Sequence, residues 1–260
     1  MKSLLTVADV ADRYSVTEET VRRWIRSGKI KASRIGSRGD FRITEQSLKG
    51  AQISPTVKST GIIAFVNLKG GVGKTTSSIY TAAAAASLGQ KVIVLDADPE
   101  SSATNWATTA TANQTPLPFQ VIRADSDRLA KQARDLSIDQ VVIIDTPPNL
   151  RDFAMQAAGV SGVCVVPLTP TGIDVDRFIS TALLLEQVEQ FAELNVRLLI
   201  TRAKRNEILT REMGEHLKDF PLMSSRIHDA VDYRGAFGAT PQNLDEYEGV
   251  WLELAEEMRR

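Results

Sequence analysis

The chain holds one cysteine, two histidines and few aromatic residues, and each scarcity closes a class of function. A lone Cys164 leaves no partner for an internal disulfide and no cysteine-ligated metal site. It lies in the apolar run Val163-Cys164-Val165-Val166 and reads as a small buried hydrophobe. His216 and His228 sit in a mixed, helical-looking region without a metal-ligand spacing partner, so surface or local hydrogen-bonding roles are expected. No window approaches the roughly 18 to 20 uninterrupted apolar residues of a membrane helix. The N-terminal residues reach Asp9 too soon for a signal peptide, which predicts a cytosolic protein.

What is present fits a folded α/β chain. It has 260 residues, 43% hydrophobic and 24% charged, enough for one sizeable domain and a small extra module. The net charge of -1 hides an asymmetry, because residues 1–50 hold 11 Lys/Arg against 6 Asp/Glu. The remainder holds 20 against 26. A basic head on a mildly acidic body suggests that the head meets a polyanion.

Residues 50–60, Gly-Ala-Gln-Ile-Ser-Pro-Thr-Val-Lys-Ser-Thr, lack periodicity and read as a linker between a head, 1–49, and a body, 61–260. In the body, apolar runs alternate with helical stretches. Ile62–Asn67, Lys91–Asp96, Val141–Asp145, Gly162–Pro167 and Val196–Thr201 are the runs. Helices are expected over Thr75–Leu88, around Asp152–Ala158 and over Val175–Leu194, with a polar region before Val141. Runs apolar throughout, separated by helices, argue for a mostly parallel sheet covered on both faces.

Directly after the first run and before the first helix stands Leu-Lys-Gly-Gly-Val-Gly-Lys-Thr-Thr, residues 68–76. A P-loop needs this context: backbone N–H groups converge on phosphate, and the helix N-terminus adds partial positive charge. Lys74 would span the β- and γ-phosphates and the Thr75 hydroxyl would ligate Mg2+. The standard spacing calls for glycine where Leu68 stands, so the standard signature is broken. What replaces it is the deviant Walker A motif, and here the chain resembles the ParA/MinD group of P-loop ATPases. The resemblance implies that Gly70, Gly71, Val72, Gly73, Lys74, Thr75 and Thr76 bind ATP. It implies that Lys69 reaches across a dimer interface to the partner's nucleotide, as an arginine finger does.

Two acidic signals follow. Asp96-Ala97-Asp98-Pro99 resembles the D-x-D-P-Q element of ParA proteins, which implies that Asp98 orients the attacking water and Asp96 supports Mg2+ and the switch loop. Glu100 stands where the family usually has Gln, which bears on hydrolysis rate. Val-Val-Ile-Ile-Asp, ending in Asp145, resembles a Walker B strand whose carboxylate holds Mg2+. The likeness runs over residues 61–250, more faintly in the second half. There Thr201 replaces a usual Asn as a weak candidate base contact, and Arg226–Pro241 look like the family's penultimate helix.

The head reads as two helices, Val7–Tyr14 and a second one to Ser27, with Ser15 or Thr17 able to cap and Gly28 as the stop. Val21, Trp24 and Ile25 share an apolar face, while Arg22, Arg23 and Arg26 fall on or near the other. Ile30–Ile35 and Asp40–Ile43 flank Gly36-Ser-Arg-Gly39, which predicts a hairpin or wing carrying Arg34, Arg38 and Arg42. The arrangement resembles the winged helix-turn-helix of MerR-type regulators and phage excisionases, which implies DNA binding through these arginines.

Arg202, Lys204, Arg205, Arg211, Arg226 and Arg234 fall where ParA dimers bind DNA without sequence preference. The C-terminal stretch Leu244–Arg260 is amphipathic but acidic, unlike a lipid-binding tail, so no membrane attachment is expected. The resemblance as a whole implies a nucleoid-associated, ATP- and Mg2+-dependent DNA partition ATPase. It would form a sandwich homodimer and be stimulated by a ParB-like partner. A nucleotide-sensing transcription regulator is the rival reading. The single cysteine disfavours an iron–sulfur reductase on the same fold, and a DNA-binding head disfavours an amidoligase.

Overall fold

The computed structural model describes residues 4–14, 18–26, 28, 30–35, 40–50, 61–170, 172–203, 217, 220–229, 233 and 235–259. The chain divides into two compact units, a smaller one of Met1–Lys58 with Ala86–Gln90 and a larger one of Ser59–Ala85 with Lys91–Arg260. The proposed linker after Gly50 and the cap candidates Ser15 and Thr17 lie outside the described residues, as does the hairpin turn with Arg38.

In the smaller unit, strand β1 (Leu4–Leu5) leads into helix α1 (Val7–Tyr14) and helix α2 (Glu18–Arg26). Thr6 and Asp9 start α1 reciprocally: the Thr6 N–H donates to the Asp9 carboxylate at 2.8 Å, and the Asp9 N–H donates to the Thr6 hydroxyl at 3.1 Å. Past the end of α2, Gly28 adopts φ 78, its N–H reaching the Ile25 carbonyl at 3.1 Å. That left-handed stop is cheap for glycine alone. Strands β2 (Ala32–Ile35) and β3 (Asp40–Thr44) pair antiparallel as the expected hairpin, and helix α3 (Glu45–Gly50) follows. β1 adds a third strand beside β3, Leu5 opposite Ile43. Val7, Val10, Val21, Trp24, Ile30, Ile43 and Leu48 are buried together as the core residues of this unit.

The larger unit is a seven-stranded parallel sheet. Its strands are β4 (Gly61–Phe65), β5 (Val92–Asp96), β6 (Gln120–Arg123), β7 (Val141–Asp145), β8 (Val163–Leu168), β9 (Val196–Ala203) and β10 (Leu222–His228). They lie in the order β10-β9-β8-β4-β7-β5-β6. Every residue of β5, β7 and β8 is buried, which requires cover on both faces. Among the described residues the unit's helices include α4 (Lys74–Ser87), α5 (Ser102–Ala112), α6 (Leu129–Leu136), α7 (Arg151–Val160), α8 (Gly172–Glu189) and α9 (Asp245–Glu257). β4 sits between β7 and β8, where strand order changes direction, and its carboxyl end opens onto the crevice in which such sheets bind ligands.

Three expectations need correction. The polar region before Val141 contains α5, the edge strand β6 and α6; β6 is half exposed and so lacks an unbroken apolar run. α8 starts at Gly172 and ends at Glu189, short of Leu194. Arg226–His228 end a strand, not a helix, so His228 is a strand residue. Its buried anchors Met223 and Ile227 are four apart, a spacing that serves both periods.

Candidate functional site

Strand β4 delivers the chain to residues 66–73, and α4 leaves from Lys74. Gly71 and Gly73 hold φ 77 and φ 90, a conformation that turns successive N–H groups toward one concave side and that L side chains rarely adopt. Gly70 and Gly71 are exposed, Val72 is buried beneath them, and Thr75 and Thr76 are half-buried in the first turn of α4. The glycine loop and the N-terminus of α4 thus stand together where the sequence analysis expected phosphate to bind.

Lys74 is buried, and its ammonium donates to the Lys69 carbonyl at 2.8 Å. Burial lowers its pKa, against the opposing pull of Asp145 and Asp98. Asp145 is fully buried at the end of β7. Desolvation pushes its carboxyl up to about 7, with the Asp96 charge adding to the rise, while the Thr75 and Ser78 hydroxyls and Lys74 oppose it. Its Oδ1 accepts from the Ser78 hydroxyl at 3.2 Å. Among the described residues its Oδ2 is buried without a hydrogen-bonding partner. An orphaned carboxylate oxygen beside a threonine hydroxyl and a phosphate cradle is a donor set that suits a small hard cation such as Mg2+.

Asp96 lies beside Asp145 across the β5–β7 ladder. Its Oδ2 accepts from the Thr104 N–H at 2.8 Å and hydroxyl at 2.7 Å, and its Oδ1 accepts from the Asp98 N–H at 3.2 Å. The carboxylate therefore ties the loop after β5 to the first turn of α5. Asp98 is buried, accepts from the Glu100 N–H at 3.0 Å and acts electrostatically on Lys74; Glu100 is exposed. Ser101, at φ 56, completes this strained turn.

Thr201 is buried behind the loop, its hydroxyl placed between the carbonyls of Val72 at 2.9 Å and Leu168 at 3.2 Å. Its polar group thus supports the phosphate loop from behind, a role that expecting a base contact did not foresee. Thr201, Thr76, Arg202, His228 and Tyr247 line a small cavity beside the loop. Sequence reasoning also missed Asn67, Ser78 and Thr104. Ser78 could have been found, since it stands one helical turn after Lys74 on the face that meets Asp145.

In the smaller unit, Arg22 pairs with Glu18 at 3.0 Å, Arg26 is exposed, and Arg34 lies over the Phe41 ring at 4.9 Å. Arg42 is half-buried and donates to the Phe41 carbonyl at 3.0 Å. Arg34 is opposite Phe41, the neighbour of Arg42, so the two hairpin arginines point to opposite faces. The side chain of Arg23 lies outside the description. In the larger unit Arg202 and Arg226 are exposed; Lys204, Arg205, Arg211, His216 and Arg234 lie outside the described residues.

Comparison with known proteins agrees with this geometry. The model of the CobQ/CobB/MinD/ParA nucleotide binding domain matches residues 63–239, and a helix-turn-helix domain matches residues 4–49. The chain is 35% identical over 223 residues to a maintenance of carboxysome distribution protein A from Gloeobacter kilaueensis, covering 80% of this chain and 98% of that protein. It is 28% identical over 189 residues to the chromosome-partitioning ATPase Soj of Thermus thermophilus, covering 60% of this chain and 75% of that one. Among solved structures, a putative plasmid partition protein from Borrelia burgdorferi B31 bound to AMPPNP superposes with a TM-score of 0.63 at 19% identity, covering 76% of this chain and all of that one. A deviant phosphate loop on a seven-stranded parallel sheet, matched over most of its length by that nucleotide-binding model, makes the chain a member of the ParA/MinD family of P-loop ATPases that act in partition or positioning, with an N-terminal helix-turn-helix domain.

Proposed function

We propose that this protein is an ATP-dependent partition ATPase that closes as a sandwich homodimer around two ATP molecules and binds DNA. The observation that carries the reading is the pairing of a two-lysine phosphate loop with a buried, unpartnered Asp145 oxygen. In this reading Lys74, the loop N–H groups and the N-terminus of α4 hold the phosphates of the subunit's own ATP. Thr75 and Asp145 hold Mg2+, which when bound neutralises phosphate charge. Asp98 orients the attacking water, while Asp96 fixes the loop that carries Asp98. Lys69 supplies a cation in trans, so closure depends on the γ-phosphate.

Residues 1–49 bind DNA as a winged helix-turn-helix, with Arg22, Arg23 and Arg26 at bases or phosphates and, from the hairpin, Arg38 with one of Arg34 and Arg42 on the backbone. Because Arg34 and Arg42 face opposite ways, only one of them meets a given DNA surface. Arg202 and Arg226 belong to a second, sequence-independent DNA surface of the closed dimer. Hydrolysis is slow alone and is accelerated by a ParB-like partner. The likeness to a carboxysome-distribution protein supports a cargo that is either DNA or a protein body, chosen by that partner.

The test is molar mass by light scattering, with DNA binding alongside, in ADP and in a non-hydrolysable ATP analogue, for wild type and Lys69→Ala. The analogue should raise both dimer mass and DNA affinity, and Lys69→Ala should lose the gain. A constant dimer that binds one DNA site equally in every nucleotide state would replace this reading with a nucleotide-sensing regulator.

A further inference from the structure

Lys69 is the residue on which the sandwich depends, and its backbone is held by a buried polar clasp that the phosphate loop itself does not provide. The Lys69 N–H donates to Asn67 Oδ1 at 2.8 Å, and the Thr181 hydroxyl donates to the same oxygen at 3.2 Å. The neighbouring Leu68 N–H donates to the Thr181 hydroxyl at 3.2 Å. Asn67 Nδ2 donates to the Pro167 carbonyl at 2.8 Å, which fixes the amide orientation, since both partners of Oδ1 are donors. Thr181 is fully buried in the middle of α8, and Asn67 is nearly so.

We propose that Thr181 is a positioning residue for Lys69, coupling α8 to the two-lysine loop. The Lys69 peptide is gripped at both ends, the N–H by Asn67 and the carbonyl by the Lys74 ammonium. Phosphate is a stronger partner for that ammonium than a neutral carbonyl, so nucleotide binding takes Lys74 away from Lys69. The Asn67–Thr181 clasp is then what still holds the Lys69 backbone in the nucleotide-bound protein. Removing the hydroxyl leaves the half-buried Leu68 N–H without its acceptor and lets the Lys69 backbone turn. The binding of a subunit's own nucleotide, which runs through Lys74, is left in place.

This inference rests on the cross-subunit role of Lys69 proposed above, and the experiment separates the two. Full-length wild type, Thr181→Val, Thr181→Ser and Lys69→Ala are compared for ATP affinity, analogue-dependent dimer mass, kcat, KM and melting temperature. Thr181→Val should bind ATP like wild type but lose about tenfold or more in dimerisation and in kcat, the size of effect one buried hydrogen bond carries. Thr181→Ser should restore both, whereas a merely structural threonine would lower the melting temperature without splitting kcat from KM. If Thr181→Val does not fold, Thr181→Ala gives the same reading. Thr181→Val dimerising and turning over like wild type while Lys69→Ala does not would overturn the positioning role alone. Lys69→Ala behaving like wild type would overturn the sandwich reading, and this inference with it.

Discussion

The Lys74 ammonium donates a 2.8 Å hydrogen bond to the carbonyl of Lys69, so the two lysines that bracket the glycine loop are joined directly. A buried cation held by a neutral carbonyl is ready to exchange that partner for a phosphate. Lys74→Ala should weaken ATP binding by about 10- to 100-fold, as loss of a charge-assisted hydrogen bond implies. Titration calorimetry checks it, and wild-type affinity in the variant would remove Lys74 from the site.

Gly249 packs α9 against β10 so closely that an added Cβ would stand 2.7 Å from the Ser225 hydroxyl oxygen but 3.7 Å from its Cβ. Gly249→Ala should therefore destabilise the protein by about 1 to 3 kcal/mol, the cost of overpacking. Adding Ser225→Ala should recover most of the loss, because only the oxygen collides. Urea unfolding of the single and double variants measures both, and an unrescued double variant would contradict the packing argument.

Glu253 of α9 accepts from the consecutive N–H groups of Ser224 at 2.8 Å and Ser225 at 2.7 Å on β10, the last strand of the sheet. The carboxylate thereby shields an edge that could otherwise pair with another chain. Glu253→Ala should cost about 1 to 3 kcal/mol through unsatisfied donors. It should also raise concentration-dependent association at high protein concentration, read by light scattering without nucleotide; unchanged stability would show that water replaces the carboxylate.

The Thr6 backbone N–H, then its hydroxyl, hold the Asp9 carboxyl below its ordinary value of 3.8. A lowered folded pKa means that the cap contributes stability above the unfolded value and loses it as pH falls through the folded one. An NMR titration should place Asp9 below 3.8, and Thr6→Val should raise it without returning it fully, because the backbone bond remains. An Asp9 that titrates identically in both proteins would show that the hydroxyl does not act on the carboxylate.

Much of the site was legible because its signals are local. The Gly71 and Gly73 turn, Lys74 and Thr75 are contiguous, and a glycine loop between an apolar strand and a helix has few other uses. Asp145 was legible as the polar end of an apolar run. The clasp on Lys69 was not, because Thr181 is 113 residues from Leu68 and a threonine in a helix is chemically unremarkable until its neighbour is known. Strand β10 was misread because the likeness of Arg226–Pro241 to the family's penultimate helix extended that helix back over Arg226–His228, which end the strand. The edge strand β6 escaped because it has only two apolar residues, both half-buried, between exposed Gln120 and Arg123, too short a run to read as a strand.

The sequence by itself determined the elements whose periodicity and punctuation are written within a few residues: the parallel runs, the phosphate loop, the helix stop at Gly28 and the hairpin. Only the tertiary structure decided which polar groups meet. It brought Asp96 to Thr104, Thr201 to the back of the loop and Thr181 to the Leu68 N–H and the Asn67 amide oxygen beside Lys69. The reason is physical: hydrophobic burial is non-directional and follows pattern, whereas a buried hydrogen bond requires two groups within about 3 Å, a relation fixed only when distant segments pack.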